Sequence, residues 1–590
     1  MRPLVVFEAC RAGSAPEMPV RLLIVAALAI VLVDPQPGLA EEPPAKQPVA
    51  VGRDGGAASV DALGTRAAIE TLRRGGNAVD AAVAAAGVLG VVEPYSCGIG
   101  GGGFMVIRTR AGKVSTIDSR ELSPAAMRAD SFFENGAALK FDDARYSGLS
   151  AGVPGTVAGW DRALERYGTL SLRELLRPGI RVARAGFVVD DTLVSQTEDN
   201  VPWFDDVPAT AELYLDADGT PRDAGTLLRN PDLADTYRRI ARRGPEGFYE
   251  GATAKAIVDA VRRPPVAATA DHVWRPGLLT EADLARYAAP EREPTRVRYR
   301  GLDIWSMGPP SSGGSTVGEA LNILEGYRGL AAERTRALHL FLEASRFSFA
   351  DRNAYLADPD FFDVPLRELL SDDFAAGRRA LIDETRAARG PVPPGQATAS
   401  HPAQSTTHLV VADRKGTVVS YTFTIESTGG NGIVVPGHGF LLNNELTDFN
   451  IDATGHPNSA GPRKRPRSSM APTIVTRDRR PFLAIGSPGG ASIITTVLQV
   501  LLERIELGAT LPEAIARPRA SQRNGATTEA EPAFIGSPEG AELASGYGHA
   551  YKEAVEIGAV TGLELLGGNR VLAAAEPTRR GGGSAAALRP

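Results

Sequence analysis

Thiol and imidazole groups are scarce in this sequence. Its 590 residues include two cysteines, Cys10 and Cys97, and seven histidines. Two thiols cannot build a disulfide framework, and they argue against redox chemistry or a cysteine-based metal site. No two histidines have the four-residue spacing of a helical metal site. We therefore predict that the chain uses no metal and no cofactor.

A strong excess of basic charge is also missing. The chain has 64 Lys and Arg against 70 Asp and Glu, which gives a formal net charge of -6, and it has no long basic run. Because nucleic-acid binding requires clustered Lys and Arg to neutralise phosphates, we predict no nucleic-acid partner. A hydrophobic fraction of 43% is enough for a large core, which excludes a wholly disordered chain.

The apolar run Leu22–Val33 is too short to span a bilayer as a permanent helix. It follows the basic start Met18–Arg21 and precedes the small residues Gly38–Ala40. This order is typical of a secretory signal peptide, with a membrane anchor as the alternative. We predict that residues 1–40 are an upstream extension plus a cleaved signal peptide, and that Met18 is the true start. The mature chain would begin near Glu41, without a permanent membrane span, and would be secreted or periplasmic.

A glycine-rich segment follows two predicted Ala-rich helices, 61–74 and 77–91. Its letters, Gly98-x-Gly100-x-x-Gly103, fit the dinucleotide fingerprint, which must follow a strand and open a helix. Here the segment follows a helix and opens a predicted hairpin of strands 104–108 and 114–118. We therefore interpret the glycines as positions of close backbone approach and predict no nucleotide site.

A predicted linker meets a predicted strand at residue 406. Residues 150 to 380 are expected to be mostly helical, and His339 in the helix 336–353 to be a packed side chain rather than a metal ligand. Residues 385–405 are rich in Gly, Pro, Ala and Ser, which is typical of a flexible linker. The alternating β-branched segments 407–412 and 417–425 then predict a hairpin.

Thr406 stands at this junction. The chain has no metalloprotease or phosphate-loop motif that would supply hydrolytic chemistry. A threonine hydroxyl is a weak nucleophile unless a base takes its proton, and an N-terminal threonine carries that base in its own α-amine. Thr406 could therefore act only if the Ser405–Thr406 bond were cut. From the residues alone, an ordinary strand threonine remains the alternative.

Seven segments, in chain order, resemble the γ-glutamyltranspeptidase (glutathione hydrolase) family over roughly residues 50 to 590. They are Gly98–Phe104, Ile117–Glu121, Phe349–Tyr355, Thr406–Val411, Leu441–Phe449, Arg465–Met470 and Gly486–Gly490. Several of these motifs are long, so the resemblance is specific.

The resemblance implies an α+β fold, the four-layer αββα sandwich of the N-terminal-nucleophile hydrolases. It implies a precursor that cuts itself between Ser405 and Thr406 into a large subunit, 41–405, and a small catalytic subunit, 406–590. The two would stay together as a heterodimer within one globular domain. The implied activity is that of a γ-glutamyltransferase and glutathione hydrolase, which forms a γ-glutamyl ester on Thr406 and passes it to water, an amino acid or a peptide.

The resemblance also implies roles for the other site residues. Thr424 would orient the nucleophile, and Gly489 and Gly490 would supply the backbone N–H groups of an oxyanion hole. The α-carboxylate of the substrate would bind to Arg120, Ser468 and Ser469, because guanidinium and hydroxyl groups donate hydrogen bonds to carboxylates. Its α-ammonium group would face three acids, Glu426, Glu445 and Asp448.

Two departures and two alternatives accompany this interpretation. Many relatives have Asn in place of Glu426, and many have a longer lid where this chain has the short polar segment 450–462. A shorter lid favours an open cleft and hydrolysis by water.

The first alternative is a β-lactam (glutaryl or cephalosporin) acylase of the same fold, which would have little use for acids that face an ammonium group. The second is a non-catalytic exported binding protein.

Overall fold

A computed structural model of the protein describes residues 44–394 and 406–589. The predicted signal sequence and Ser405 lie outside the described residues.

The strands are β1 (Val49–Ser59), β2 (Gly102–Arg108), β3 (Val114–Asp118), β4 (Phe133–Glu134), β5 (Ala137–Ala138), β6 (Phe187–Val188), β7 (Leu227–Leu228), β8 (Glu291–Arg292), β9 (Thr295–Tyr299), β10 (Leu302–Ser306), β11 (Thr407–Asp413), β12 (Val418–Thr424), β13 (Thr473–Arg477), β14 (Arg480–Gly486), β15 (Ala520–Ser521), β16 (Thr528–Ala530), β17 (Tyr551–Glu553), β18 (Thr561–Gly567), β19 (Arg570–Ala575) and β20 (Ser584–Arg589).

The α-helices are α1 (Ala62–Arg73), α2 (Ala78–Val92), α3 (Phe141–Arg145), α4 (Thr156–Tyr167), α5 (Leu172–Leu175), α6 (Arg177–Ala185), α7 (Asp191–Glu198), α8 (Val201–Phe204), α9 (Pro208–Tyr214), α10 (Pro231–Arg243), α11 (Glu246–Tyr249), α12 (Gly251–Arg262), α13 (Glu281–Ala285), α14 (Gly313–Glu325), α15 (Arg334–Tyr355), α16 (Leu366–Leu369), α17 (Asp372–Arg379), α18 (Ser492–Ile505), α19 (Leu511–Ala516), α20 (Pro532–Ile535) and α21 (Pro538–Ser545).

Thirteen strands form one hydrogen-bonded network in the order β8-β3-β2-β12-β11-β1-β19-β18-β14-β13-β10-β9, with β20 also paired to β1. The network has two halves that meet in β1. Residues 55–59 of β1 pair with β11, and residues 49–53 pair with β19. The two sheets expected from the sequence are therefore present, but they are continuous through one long strand.

The two halves face each other, and helices cover their outer faces. Ser420 Oγ on β12 donates a hydrogen bond to the carbonyl oxygen of Ile485 on β14 at 3.1 Å. Along β11, Leu409 and Val411 belong to the core with α1 and α2, whereas Val410 and Ala412 belong to the core with α14, α15 and α18. This alternation follows from the two-residue repeat of a strand. The layers are helix, sheet, sheet and helix, which confirms the predicted α+β class.

The first predicted helices and both predicted hairpins are confirmed. The side chains of Asp61 and Asn77 cap α1 and α2 by accepting hydrogen bonds from backbone N–H groups of the first turn. β2 pairs with β3, and β11 pairs with β12, both antiparallel. On α15, His339 is fully buried and packs against Tyr547, with ring centroids 4.5 Å apart, as expected of a packed side chain.

Close backbone approach explains the glycine-rich segment, as predicted. A Cβ atom on Gly100 would lie 1.9 Å from the carbonyl oxygen of Leu441, and one on Gly101 would lie 1.9 Å from that of Thr424. No side chain fits at either distance. The segment leads into β2, and it brings the chain beside the end of β12, where Thr424 lies.

The prediction of a flexible linker over 385–405 is wrong for its first half. Residues 385–394 are held by hydrogen bonds to the C-terminal part of the chain. Ala387 N donates to Tyr547 O at 2.8 Å, and Val392 N donates to Asn524 Oδ1 at 2.7 Å. These polar contacts, rather than the hydrogen bonds of a helix or strand, satisfy the backbone of the segment. A segment held in this way needs no hydrophobic periodicity. The second half, 395–405, lies outside the described residues.

The segments before and after Thr406 are interleaved in the sheets. β12 lies between β2 and β11, β1 lies between β11 and β19, and β10 pairs with β13. Within 44–394 and 406–589, the structure has no helix long and apolar enough to cross a membrane.

Candidate active site

One small pocket gathers almost all of the residues that the sequence analysis assigned to the site. Its empty space, including the part that is open to solvent, is about 240 Å³. Its lining consists of Arg120, Thr406, Thr424, Glu426, Glu445, Asp448, Ser468, Ser469, Met470, Gly490 and Ile493. Gly489 precedes the lining residue Gly490, so every predicted site residue among the described residues lies in or beside this pocket.

Thr406 lies immediately before β11 and is 3% exposed. Its hydroxyl group is 3.4 Å from that of Thr424, which ends the neighbouring strand β12. The Thr424 Oγ1 atom also accepts a hydrogen bond from the backbone N–H of Glu426 at 2.8 Å. On the other side, Arg580 Nη1 donates to the carbonyl oxygen of Thr406 at 2.7 Å. The backbone and the side chain of Thr406 are thus both held by neighbours.

Glu426 adopts a backbone conformation that non-glycine residues rarely take, with φ at 79°. Its Oε2 atom accepts hydrogen bonds from Asn444 Nδ2 and Ser427 Oγ, whereas its buried Oε1 atom has no hydrogen-bond partner among the described residues. Burial, reinforced by the charge of Asp448, raises the pKa of Glu426 to about 7. Strained residues with unmatched polar atoms are frequent at functional sites.

Arg120 is 1% exposed and forms ion pairs with two of the predicted acids. Its Nη1 atom contacts Glu445 Oε1, and its Nη2 atom lies 2.5 Å from Asp448 Oδ2. Its Nε atom donates to the carbonyl oxygen of Pro466 at 3.1 Å. The positive charge of Arg120 is therefore balanced by carboxylates of the pocket itself. A zwitterionic group would have to insert between these opposite charges.

Glu121, which the sequence analysis did not assign to the site, lies beside this ion-pair network. Its carboxyl group is fully buried, and Oε2 lies 4.0 Å from Arg120 Nη1. Neither carboxyl oxygen has a hydrogen-bond partner in the part of the chain that the structure describes. Burial raises the pKa of Glu121 to about 8, against the lowering effect of Arg120. The group is therefore mostly neutral at pH 7.

The two predicted serines lie in the loop before β13. Ser468 Oγ accepts a hydrogen bond from Met470 N at 3.2 Å. Ser469 Oγ accepts one from Arg352 Nη2, on α15, at 2.6 Å. Since each hydroxyl oxygen already accepts a hydrogen bond, each O–H group is available to donate one to an anion.

Gly489 and Gly490 form the turn that leads into α18. Both have positive φ angles, 128° and 56°, which favour glycine. Ser492, the first residue of the helix, donates from Oγ to the carbonyl oxygen of Gly489 at 2.7 Å. The partial positive charge at the start of this helix therefore lies beside the pocket.

The geometry also reveals residues that sequence reasoning did not single out. Arg352, Ser312 and Asn444 hold the predicted residues in place, and Glu121 and Arg580 contact them. Arg352, Asn444 and Glu121 lie inside the motifs that carried the resemblance, so proximity to a motif was an available signal. Arg580 lies more than 150 residues from Thr406 in sequence and was not detectable in this way.

Comparison with known proteins decides the family. The family model of gamma-glutamyltranspeptidase matches residues 64–586. The chain belongs to the γ-glutamyltranspeptidase family. It is 38% identical over 479 residues to the glutathione hydrolase proenzyme of Escherichia coli strain K12, covering 79% of this chain and 80% of that protein.

Acylases are among the similar proteins. The Acylase ACY 1 proenzyme of Pseudomonas sp. strain V22 is 36% identical over 523 residues, which covers 87% of this chain and 90% of that protein. The crystal structure of cephalosporin acylase from Bacillus halodurans matches with a TM-score of 0.79 and 28% identity, covering 94% of this chain and 99% of that one. The family fold therefore occurs in proteins named for two different donors.

Proposed function

We propose that the protein is a self-processing γ-glutamyltransferase and glutathione hydrolase whose nucleophile is Thr406. The observation that carries the proposal is the composition of the pocket. A threonine that processing would make N-terminal, an arginine with two serines, and three acids line the same small space. An acyl donor with both an α-carboxylate and an α-ammonium group fits this set of charges, and glutathione is such a donor.

Processing is proposed to begin with attack of Thr406 Oγ1 on the carbonyl carbon of Ser405. The peptide C–N bond breaks, the nitrogen of Thr406 takes the hydroxyl proton, and an ester joins Ser405 to Thr406 Oγ1. Water then hydrolyses this ester, which leaves a carboxylate on Ser405 and a free α-amine and hydroxyl group on Thr406. The products are a large subunit, 41–405, and a small subunit, 406–590.

Catalysis is proposed to use the new α-amine as the base. Its reference pKa of about 7.7–8.0 suits proton transfer near neutral pH. The amine takes the proton as Thr406 Oγ1 attacks the γ-carbonyl, and the N–H groups of Gly489 and Gly490 stabilise the oxyanion. When the C–N bond breaks, the proton passes to the leaving amine and a γ-glutamyl ester remains. Water or an acceptor amine then attacks the ester and restores the hydroxyl group.

The two charged groups of the substrate are proposed to bind to different residues of the pocket. The α-carboxylate is bound by the O–H groups of Ser468 and Ser469 together with Arg120. The α-ammonium group is bound by Glu426, Glu445 and Asp448. The free Oε1 atom of Glu426 is a buried acceptor, and an ammonium group would satisfy it.

The acylase alternative is favoured by one observation, the similarity to proteins named as acylases. A glutaryl donor carries the carboxylate but no ammonium group. It would leave the buried acceptor of Glu426 unsatisfied. The pocket therefore favours the γ-glutamyl donor.

Matched anilides test this assignment. The processed enzyme is expected to cleave a γ-glutamyl anilide with kcat/KM at least about tenfold higher than a glutaryl anilide, since one hydrogen bond to a charged group is lost. Both donors release the same aniline, so absorbance measures both reactions. A preference for the glutaryl donor would contradict the proposal and favour the acylase. A non-catalytic binding protein would cleave neither.

The assembly and location follow from the same proposal. Groups of strands from the two proposed subunits are interleaved in the network, which supports a heterodimer that stays together after the cut. The signal-peptide pattern of residues 18–40 supports a secreted or periplasmic product.

A further inference from the structure

Arg352 is a buried cation whose hydrogen bonds go to neutral groups. It lies near the C-terminal end of α15 and is 5% exposed. Its guanidinium group donates to Ser312 Oγ at 2.8 Å, to Asn353 Oδ1 at 3.0 Å and to Ser469 Oγ at 2.6 Å. Within the described residues it forms no ion pair. This is unusual, because buried charges are normally paired.

Arg352 and Arg120 are both buried cations, but in the part of the chain that the structure describes only Arg120 is paired with carboxylates. The charge of Arg120 is balanced by Glu445 and Asp448. Burial, with the neighbouring charge of Arg467, holds the pKa of Arg352 well below its usual value, against the opposing effect of Asp448. The side of the pocket formed by the serines therefore has a positive charge behind it that no carboxylate contacts within the described residues, and an anion would offset this charge.

Arg352 also determines the direction of each neighbouring hydrogen bond. A guanidinium group has donors and no acceptor, so both serine oxygens that contact it must accept. Ser312 Oγ accepts from Arg352 and donates to the carbonyl oxygen of Ser468 at 2.6 Å. Ser469 Oγ accepts from Arg352, so its own hydrogen points elsewhere. The arginine thereby fixes the loop carrying both serines and leaves Ser469 as a donor.

We propose that Arg352 is a positioning residue that makes this side of the pocket selective for a carboxylate on the acyl donor. It acts through Ser469 and Ser312 rather than by touching the substrate. The inference rests on the proposed function, and it adds a residue from the large subunit that determines donor specificity.

Two anilides that differ by one group test the proposal. A γ-glutamyl anilide carries the α-carboxylate, and a γ-aminobutyryl anilide lacks it but keeps the amine and the scissile bond. For Arg352→Gln, whose amide can accept as well as donate, the ratio of kcat/KM for the two donors should fall by about 10-fold to 100-fold. The change should appear mainly in KM for the γ-glutamyl donor. Arg352→Lys, which again offers only donors, should retain an intermediate ratio.

Two further variants separate this role from general damage to the fold. Arg346→Gln removes another buried arginine of the same helix, one that pairs with Glu343, and should leave the donor ratio unchanged. Ser312→Ala keeps Arg352 but removes one of its acceptors, and should lower the ratio by less than Arg352→Gln does. If Arg352→Gln yields no processed protein, the lysine and Ser312 variants still measure the ratio.

The outcomes distinguish this inference from the proposed function. An equal loss of activity toward both donors, or an unchanged ratio in Arg352→Gln and Ser312→Ala, would overturn the role of Arg352. A wild-type enzyme that does not prefer the γ-glutamyl donor would instead contradict carboxylate recognition itself, whatever the variants do.

Discussion

At the scale of the residue, the main determinant of the site is burial of charge. Thr406, Arg120, Glu426 and Glu445 are each 3% exposed or less. Desolvation raises the pKa of a carboxyl group and strengthens each remaining contact. Under the proposed function, protonation of Glu426 would control how well the pocket holds an ammonium group.

Glu426 should give activity a pH dependence near 7. Because burial raises its pKa to about 7, the carboxylate is lost as the pH falls through that value, and kcat/KM for a γ-glutamyl donor should fall with it. Glu426→Gln keeps an acceptor for Asn444 and Ser427 but removes the charge. It should raise KM about tenfold, equivalent to about 1.4 kcal/mol, and abolish this transition. The transition of the proposed Thr406 α-amine, a type of group whose reference pKa is about 7.7–8.0, should remain.

The titration of Glu426 should have the opposite effect on stability, because a fall in pH that weakens donor binding should increase the free energy of unfolding. Glu426→Gln should remove this pH dependence of stability. The folded-state pKa of Glu426 lies above its usual 4.5, so the folded protein retains a proton that the unfolded chain releases. The contribution to the free energy of unfolding is therefore fully present below pH 4.5 and is lost as the pH rises to about 7. Urea unfolding of wild type and Glu426→Gln checks this. An identical pH dependence in both proteins would show that Glu426 does not titrate in this range.

At the scale of the element, strand ends and one helix start assemble the pocket. β11 begins after Thr406, β12 ends at Thr424, and α18 begins after the Gly489–Gly490 turn. The sequence predicted both strands and their pairing, because β-branched alternation is a local signal. It did not predict that α15 would supply Arg352, since that contact joins residues 117 positions apart.

Gly490→Ala tests the turn before α18. The φ of 56° would strain an alanine by about 1–2 kcal/mol and tilt the proposed oxyanion donor. We expect kcat to fall about 10²-fold, with a smaller change in KM, as when an oxyanion-hole donor is lost. Gly508→Ala is the matched control, because Gly508 has a similar φ of 75° beyond the other end of α18 and lies away from the pocket. Equal losses in both variants would assign the effect to backbone strain alone.

At the scale of the whole molecule, the sequence predicted the layers and most of the pocket lining, largely through long motifs that resemble a family. It did not predict that 385–394 would be fixed, since Val392 and Ala387 are held by polar contacts with residues that are distant in the sequence. Nor did it predict that Arg120 would be paired with Glu445 and Asp448, because an ion-pair partner depends on tertiary packing. Composition and periodicity report on local structure, whereas these contacts join residues that are far apart in the sequence.

The interleaved strands make processing compatible with an intact fold. β1 of the proposed large subunit pairs with β11, β19 and β20 of the small one. The two chains should therefore copurify under native conditions and separate only when the protein is unfolded.

The most direct test is the N-terminal sequence of the smaller chain in a native, active preparation. The account predicts that this chain begins with Thr406-Thr407-His408, that it remains bound to the larger chain, and that Thr406→Ala yields one uncut, inactive polypeptide. An active preparation in which residue 406 is still joined to Ser405, or in which the smaller chain starts elsewhere, would contradict the account.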